Sequence, residues 1–368
     1  MGMNKAIVVF GAGGTVGSAC VETLLRQGAS VIATGRHLSR LRSRFAHLDS
    51  ARLSFAEIDL LSETAWPDAV CDCRRFVQCA GPSCHLTDRV IARLLTQCDG
   101  PGVLIESGGD AATIARWHTR LEMAGWVGLF GAGIQPGLLG VVIRALSRRF
   151  AHTNALQVAT FTGGLQVLTP AGLKEYLQAI NNRTGHPGLQ LCRNKWRRVT
   201  GKPQIPDCFP VTSNIHPFVD EEAALAANAL ELHSLSGFNI TDSEDISHLL
   251  NEIMVSGFVP DTASARSADA VAGRIPWFCL CAEGCEESLP EQVIRTFFAC
   301  EDSYRITGEV AAWAVINIVD EMTSGASWFS AHPQALAIWQ QWEITPPEGG
   351  RIVWQNLNNR TVCEEGEL

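Results

Sequence analysis

The chain has 368 residues, enough for two domains with separate cores. Its formal net charge of -9 argues against nucleic acid or an anionic membrane surface as the main partner. No apolar run approaches the length of a membrane span, and thirteen cysteines without a secretory leader suit the reducing cytoplasm, where they stay thiols.

The chain opens on an apolar, β-branched run, Ala6 to Phe10, which meets the cluster Gly11-Ala12-Gly13-Gly14-Thr15-Val16-Gly17. An amphipathic helix pattern and a second apolar run, Ala29 to Ala33, follow. Strand, tight glycine turn, helix and strand predict the first βαβ unit of a Rossmann dinucleotide-binding domain. Glycine lets the backbone turn sharply and leaves room for a pyrophosphate, while the helix start offers free N–H groups and the positive end of its dipole. Gly11, Gly14 and Gly17 make G-x-x-G-x-x-G with Gly13 added; a strict G-x-G-x-x-G would need glycine where Val16 stands. Gly11, Gly13, Gly14, Thr15, Val16 and Gly17 are therefore the candidate phosphate-binding residues.

The end of the second strand bears on which dinucleotide is bound. An NAD site usually places Asp or Glu there, against the ribose 2′-hydroxyl. This chain has Thr34-Gly35-Arg36-His37-Leu38-Ser39-Arg40 instead, without an acid. Arg36 and Arg40 suit the 2′-phosphate of NADPH, for which a guanidinium fork is well shaped; the alternative is that both are solvated residues opening the next helix.

A basic helix from Ser39 to Ala46 then leads to a strand from Arg52 to Ile58 and to Asp59, a candidate adenine contact or a surface acid. The fourth strand runs into Cys79-Ala80-Gly81-Pro82, and small residues at a strand's carboxyl end let a cofactor lie across the sheet edge, so Ala80, Gly81 and Pro82 join the candidate cofactor site. His85 falls in the loop that follows. A helix from Thr87 to Cys98, a strand from Gly102 to Glu106, the turn Ser107-Gly108-Gly109-Asp110 and a helix from Ala111 to Ala124 come next. The segment Trp126 to Gly137 then enters a helix from Leu138 to Arg149. Strands alternating with helices predict a doubly wound parallel sheet.

In these landmarks the chain resembles the saccharopine dehydrogenase-like oxidoreductases. The glycine turn, arginine in place of the acid, CAGP, SGGD and the segment GAGIQPGLLG stand in the family's order. The resemblance covers the chain to about residue 145 and returns near Thr307 to Gly325. It implies an α/β protein with an N-terminal Rossmann domain at 1–148, an α+β substrate and dimerisation domain at 149–303, and C-terminal helices at 304–368 that pack back on the first domain. It also implies an NAD(P)-dependent oxidoreductase. Family members commonly carry Asp just before the Pro-Gly; here that position is Gln135, so a different charge preference is expected.

In the middle region, alternating runs near Leu156 to Val167 suggest strands, and a helix from Ala171 to Ile180 follows Pro170. A loop from Asn181 to Pro187, a basic stretch at Asn194 to Val199, a helix from Asp220 to Leu230 and strands near Leu232 and Pro276 complete an α+β pattern. Its sheet face is a candidate homodimer interface. Cys71 with Cys73, and Cys279 with Cys281 and Cys285, lack the C-x-x-C pairs and histidine spacing of zinc sites, and no metal is expected. Cys279 and Cys281 share one face of a strand, as core residues do. The acidic tail from Thr361 is expected to fray.

The chemistry is narrowed by exclusion. Residues four beyond the two tyrosines, Tyr176 and Tyr304, are Ile180 and Gly308, so the Tyr/Lys pair of short-chain reductases is absent. No Gly-x-Ser-x-Gly acyl-transfer signature replaces it. Given the resemblance, hydride transfer from NADPH to a C=N bond fits best, because an iminium is already electrophilic. The candidate catalytic residues are Asp110, which also suits a helix N-cap, His85, which also suits a solvated loop, and Gln135, which also suits a loop tie. Lys195, Arg197 and Arg198 suit either a substrate anion or a basic edge strand; His216, Tyr304 and Trp196 are weaker candidates. The substrate is expected to be a small molecule, free or tethered to a carrier. Two other readings remain open: a C=C or C=O reductase with the same cofactor, and a dinucleotide-binding sensor or scaffold without chemistry.

Overall fold

The computed structural model describes residues 6–48, 51–201, 203–210, 212–318 and 323–357. The acidic tail and the last residues of the 304–368 segment lie outside these.

The first domain alternates strand and helix as the apolar pattern dictates. β1 (Ile7–Phe10), α1 (Thr15–Arg26), β2 (Val31–Gly35), α2 (Leu38–Arg44) and β3 (Leu53–Glu57) form one half. The other half is α3 (Asp68–Cys71), β4 (Arg75–Gln78), α4 (Ser83–Gln97), β5 (Val103–Glu106), α5 (Ala111–Met123), β6 (Val127–Phe130) and α6 (Leu138–Ser147). β1 is buried throughout, as expected of a parallel strand covered on both faces. Ile7 and Val9 pack on the α1 side with Val21 and Leu24, whereas Val8 and Phe10 pack on the α4 side with Val90 and Ile91.

The second domain is a mixed sheet. Its elements are β7 (Leu156–Leu165), α7 (Pro170–Asn181), β8 (His186–Pro187), β9 (Leu189–Cys192), β10 (Lys195–Arg198), β11 (Asn214–Val219), α8 (Glu221–Ala229) and β12 (Ser234–Thr241). α9 (Glu244–Ser256), α10 (Ala263–Val271), β13 (Trp277–Glu286) and β14 (Ile294–Cys300) follow. Pro170 takes the first helical position of α7 with Thr169 as its cap. The basic stretch forms β10, an exposed edge strand.

The chain then returns through α11 (Ser303–Asn317), β15 (Gly325–Trp328), α12 (Leu336–Ile344) and β16 (Gly350–Asn356). The first sheet has the order β15-β6-β5-β4-β1-β2-β3, with every pair parallel. α11 packs on α1 at a close approach. A Cβ on Gly308 would stand 2.4 Å from the Val16 carbonyl oxygen, so only glycine lets the two backbones meet here.

The C-terminal segment is more than the helices expected at 304–368. β15 extends the first sheet beside β6, and β16 crosses to the second sheet to pair with β14. Both pairings need partners far away in sequence, and neither short run announces them. A single apolar core runs from the first sheet through α6 to Leu280, Ala282 and Phe298 of the second sheet. The two domains are thus joined by buried apolar surface as well as by polar contacts.

Candidate functional site

The glycine turn is built by two separate demands. A Cβ on Gly11, whose φ is +70°, would lie 2.5 Å from the Ala80 Cα, and one on Gly17 would lie 2.2 Å from the Gly11 carbonyl oxygen. Those glycines are required by the protein's own packing. At Gly13 and Gly14 the nearest atoms to an added Cβ are Leu41 Cδ2 at 3.5 Å and the Gly11 oxygen at 3.4 Å, which are ordinary contacts. Gly13, Gly14 and Thr15 are exposed, Val16 is half-buried, and they surround the start of α1. Gly14 caps that helix without a side-chain hydrogen bond, and its first turn holds no acid. An open glycine cradle before an uncapped helix start is the geometry that a pyrophosphate fills.

At the end of β2, Arg36 is exposed and lines a cleft of about 180 Å³ with Glu57, Asp59 and Thr64. Arg40 is exposed on α2, and among the described residues neither arginine has a hydrogen-bond or ionic partner. Asp59 lines the same cleft as Arg36, with one oxygen accepting from the Leu61 N–H at 2.9 Å. These residues fit the adenosine half of a dinucleotide, with guanidinium groups free for a phosphate.

The candidates at the strand ends sit at the domain junction. Ala80 passes behind Gly11, and Gly81 faces Ala171 of α7, where an added Cβ would come within 2.8 Å of the Ala171 Cβ. Pro82 precedes α4, which begins at Ser83, earlier than the Thr87 expected. His85 thus occupies the exposed first turn of a helix rather than a loop, because the chain turns into helix directly after Pro82. Asp110 caps α5, accepting from the Thr113 N–H at 2.7 Å. Tyr304 is tied to the backbone: its hydroxyl donates to the Val167 carbonyl at 3.0 Å and accepts from the Thr169 N–H at 3.3 Å. That leaves it a bracing role between α11 and the segment before α7.

Gln135 joins the two domains. Its Nε2 donates to Thr162 Oγ1 and to Asp220 Oδ2, both at 3.1 Å, and the Thr162 hydroxyl donates to Asn239 Oδ1 at 3.0 Å. His216 lies opposite Asn239 in the sheet and is exposed. Asp220 precedes α8 at its N-cap position but makes no side-chain cap; its carboxylate turns to Gln135 instead. Burial pushes the Asp220 carboxyl up to about 6, against the hydrogen bond from Gln135, which lowers it.

Three neighbouring acids end on helix starts of the first domain. Glu175 accepts from the Ser83 N–H at 2.7 Å, Glu221 from the Ala111 N–H at 3.1 Å, and Glu222 from the Gly137 N–H at 2.7 Å. Carboxylates at helix N-termini answer both the unpaired amides and the dipole. The starts of α4, α5 and α6 are thereby occupied, whereas those of α1 and α2 have neither an acid nor a side-chain cap. Burial pushes Glu222 up to about 8. Glu106, at the end of β5, is also pushed by burial up to about 8, although the Thr87 hydroxyl and the Gly108 N–H donate to it at 2.7 and 3.2 Å.

The sequence did not single out Asp220, Glu222, Glu175 or Glu106. Its one signal was the run Asp220-Glu221-Glu222, where a helix start alone needs fewer acids. Lys195, Trp196, Arg197 and Arg198 all lie exposed on β10, and the Trp196 ring stacks on His186 with centroids 3.7 Å apart. Among the described residues no group of three His, Cys, Asp or Glu side chains is arranged to hold a metal ion. None of the described helices is long and apolar enough to cross a membrane.

Residues 7–96 match the NAD dependent epimerase/dehydratase family, a span that contains the glycine turn, Arg36 and Ala80 to Pro82. Across the whole chain, the structure is similar to apo saccharopine dehydrogenase (L-Glu forming) from Saccharomyces cerevisiae. That match has a TM-score of 0.65 and covers 96% of this chain and 100% of that one at 11% identity. The fold is saccharopine dehydrogenase-like. Yeast methylglyoxal/isovaleraldehyde reductase complexed with NADPH overlaps 30% of this chain and 39% of its own, at 18% identity and a TM-score of 0.25. A search of curated proteins found no match. Within the saccharopine dehydrogenase-like fold, the open cradle lies on the first sheet, and the Gln135–Asp220 pair joins that domain to the second.

The two classes of glycine predict different outcomes. Gly14→Val should abolish dinucleotide binding with the melting temperature nearly unchanged, because its side chain enters only the open cradle. Gly17→Val should lower the melting temperature steeply, by forcing α1 off Gly11. Calorimetry with a nucleotide titration checks both, and a Gly14→Val protein that binds normally would mean the phosphates lie elsewhere.

Glu106 and Glu222 predict a pH dependence of stability. Each holds its proton more tightly when folded than its ordinary value of 4.5 allows, so their contribution is full below about 4.5 and is lost as pH rises through about 8. The melting temperature should therefore fall between pH 5 and pH 9, and Glu106→Gln should flatten that slope. An equal slope in wild type and variant would mean that Glu106 is already charged at pH 5.

Proposed function

We propose that the protein is an NADPH-dependent oxidoreductase that transfers hydride to a C=N bond of a small molecule, free or carrier-tethered. The observation that carries the reading is the glycine cradle at the open, uncapped start of α1, beside unpartnered Arg36, while the starts of α4, α5 and α6 are filled by the protein's own acids. NADPH, when bound, supplies the hydride. Gly13, Gly14 and Thr15 bind the pyrophosphate through main-chain amides, and Arg36 and Arg40 hold the 2′-phosphate.

On the substrate side, Asp220 supplies a carboxylate at the mouth of the cleft. An iminium nitrogen is cationic, so it needs a nearby negative charge rather than a strong acid. With its carboxyl raised to about 6, Asp220 is ionised at neutral pH yet basic enough to share a proton with an amine product. Gln135 orients that carboxylate and is in turn fixed by Thr162 and Asn239. α7 packs against Gly81 and is tied to the start of α4 through Glu175.

Parallel fluorescence titrations with NADPH and NADH test the cofactor. NADPH should bind more tightly, and Arg36→Ala should weaken it by about 10- to 100-fold, as expected for a lost charge-assisted pair, with NADH little changed. Equal weakening of both would remove the 2′-phosphate role, and binding of neither would favour a scaffold.

With cyclic imines as test substrates, Asp220→Asn should lower kcat at least tenfold while the NADPH affinity holds. An unchanged kcat on imines that the wild type reduces would exclude Asp220 from the chemistry.

A further inference from the structure

The face of the second sheet opposite α6 carries a thiol cluster that hydride transfer does not use. On β13, Leu280 and Ala282 join the core on the α6 side, so the alternating Cys279 and Cys281 face the other way. There they pack with Phe161, Phe238 and Phe297, and the segment between β10 and β11 lays Phe209 and Cys208 over them. Cys208 is half-buried, whereas Cys279 and Cys281 are 1% and 0% exposed. Cys208 thus packs against the same apolar cluster that holds both β13 thiols.

The charges around this cluster are asymmetric. Arg295 on β14 is fully buried and paired with Glu283 at 2.6 Å and with Asp207, the residue next to Cys208. Hydrogen bonds from Cys279 and Cys281, aided by the Arg295 charge, hold the Cys208 thiol below its ordinary value. Cys279 and Cys281 are held well above theirs, Cys279 chiefly by its bond to Cys208 and Cys281 chiefly by burial. The half-buried sulfur is thus the one on which negative charge is favoured, and two buried thiols pack in the same cluster. This is the arrangement of a reactive cysteine with a resolving partner.

We propose that Cys208 is a peroxide-reactive site whose oxidation ends in a disulfide to Cys279 or Cys281. The Cys208 thiolate attacks one oxygen of hydrogen peroxide, the O–O bond breaks, and the leaving hydroxide takes a proton to become water, giving Cys208 sulfenic acid. The sulfur of Cys279 or Cys281 then attacks the Cys208 sulfur, its proton passes to the departing hydroxide, and a second water leaves. Two thiols are oxidised by two electrons and one peroxide is reduced to two waters. The product ties the segment before β11, the strand that leads into Asp220, to the centre of the second sheet. This inference is independent of the hydride-transfer reading.

The full-length, reduced protein is the material for the test. Iodoacetamide labelling at pH 6 should modify Cys208 about tenfold faster than exposed Cys84, whose thiol burial and Glu175 raise. Hydrogen peroxide should then yield, by non-reducing peptide mass spectrometry, a Cys208 peptide crosslinked to the β13 peptide. That crosslink should be absent in Cys208→Ser, and the Cys279→Ser, Cys281→Ser double variant should instead trap a dimedone-reactive sulfenic acid on Cys208. The proposal fails if wild-type Cys208 is labelled no faster than Cys84. It also fails if peroxide oxidises other cysteines first, or carries Cys208 to the sulfinic acid without a crosslink. The labelling and crosslink measurements need only wild-type protein, so they decide the matter even if a variant does not fold.

Discussion

Acids from the second domain end on the helix starts of the first, and the shape of the cleft follows from those contacts. Glu175, Glu221 and Glu222 each take an amide at the start of α4, α5 or α6. Such bonds answer both an unpaired N–H and the positive end of a helix dipole. They also fix the second sheet over the carboxyl ends of β4, β5 and β6, where open α/β sheets bind ligands. The start of α1, with neither acid nor cap, is set apart from those three helices by that arrangement.

The same contacts place titratable groups under tension. Glu222 gains an amide partner at Gly137 yet is buried enough to favour the neutral form, and Glu106 beneath α4 is in the same position. Burial costs a carboxylate more than two hydrogen bonds return, so both retain protons at pH values where exposed glutamates have lost them. Asp220 is less extreme, with burial raising its carboxyl only to about 6. Its side chain gives up the local job of capping α8 to meet Gln135. Gln135, just before Pro136-Gly137, thus holds an acid from the other domain.

Much of the first domain was legible because its signals are local. Apolar runs, a glycine cluster and capping residues specify strand, turn and helix within a few neighbours, and the parallel order follows from alternation. Asp110 as a cap and β10 as a basic edge were readable on the same grounds. The start of α4 was misplaced because the helix continues straight from Pro82, with no cap among its own side chains: its first amide is met by Glu175, 92 residues away. β15 and β16 were missed for a related reason, since a short strand is defined by its partner, and theirs are β6 and β14.

The sequence by itself determined the first βαβ unit with its glycine turn, the absence of a Tyr/Lys pair and the arginines in place of an acid after β2. Each depends on residue identity at a fixed spacing along the chain. Only the tertiary structure decided which glycines serve the protein and which leave space, because Gly11 and Gly17 are filled by Ala80 and by the turn itself while Gly13 and Gly14 are not. It alone joined Gln135 to Asp220 and Cys208 to Cys279 and Cys281, since those groups meet across strands and domains. Burial and charge at such meeting points set protonation, and neither quantity exists until the chain has folded.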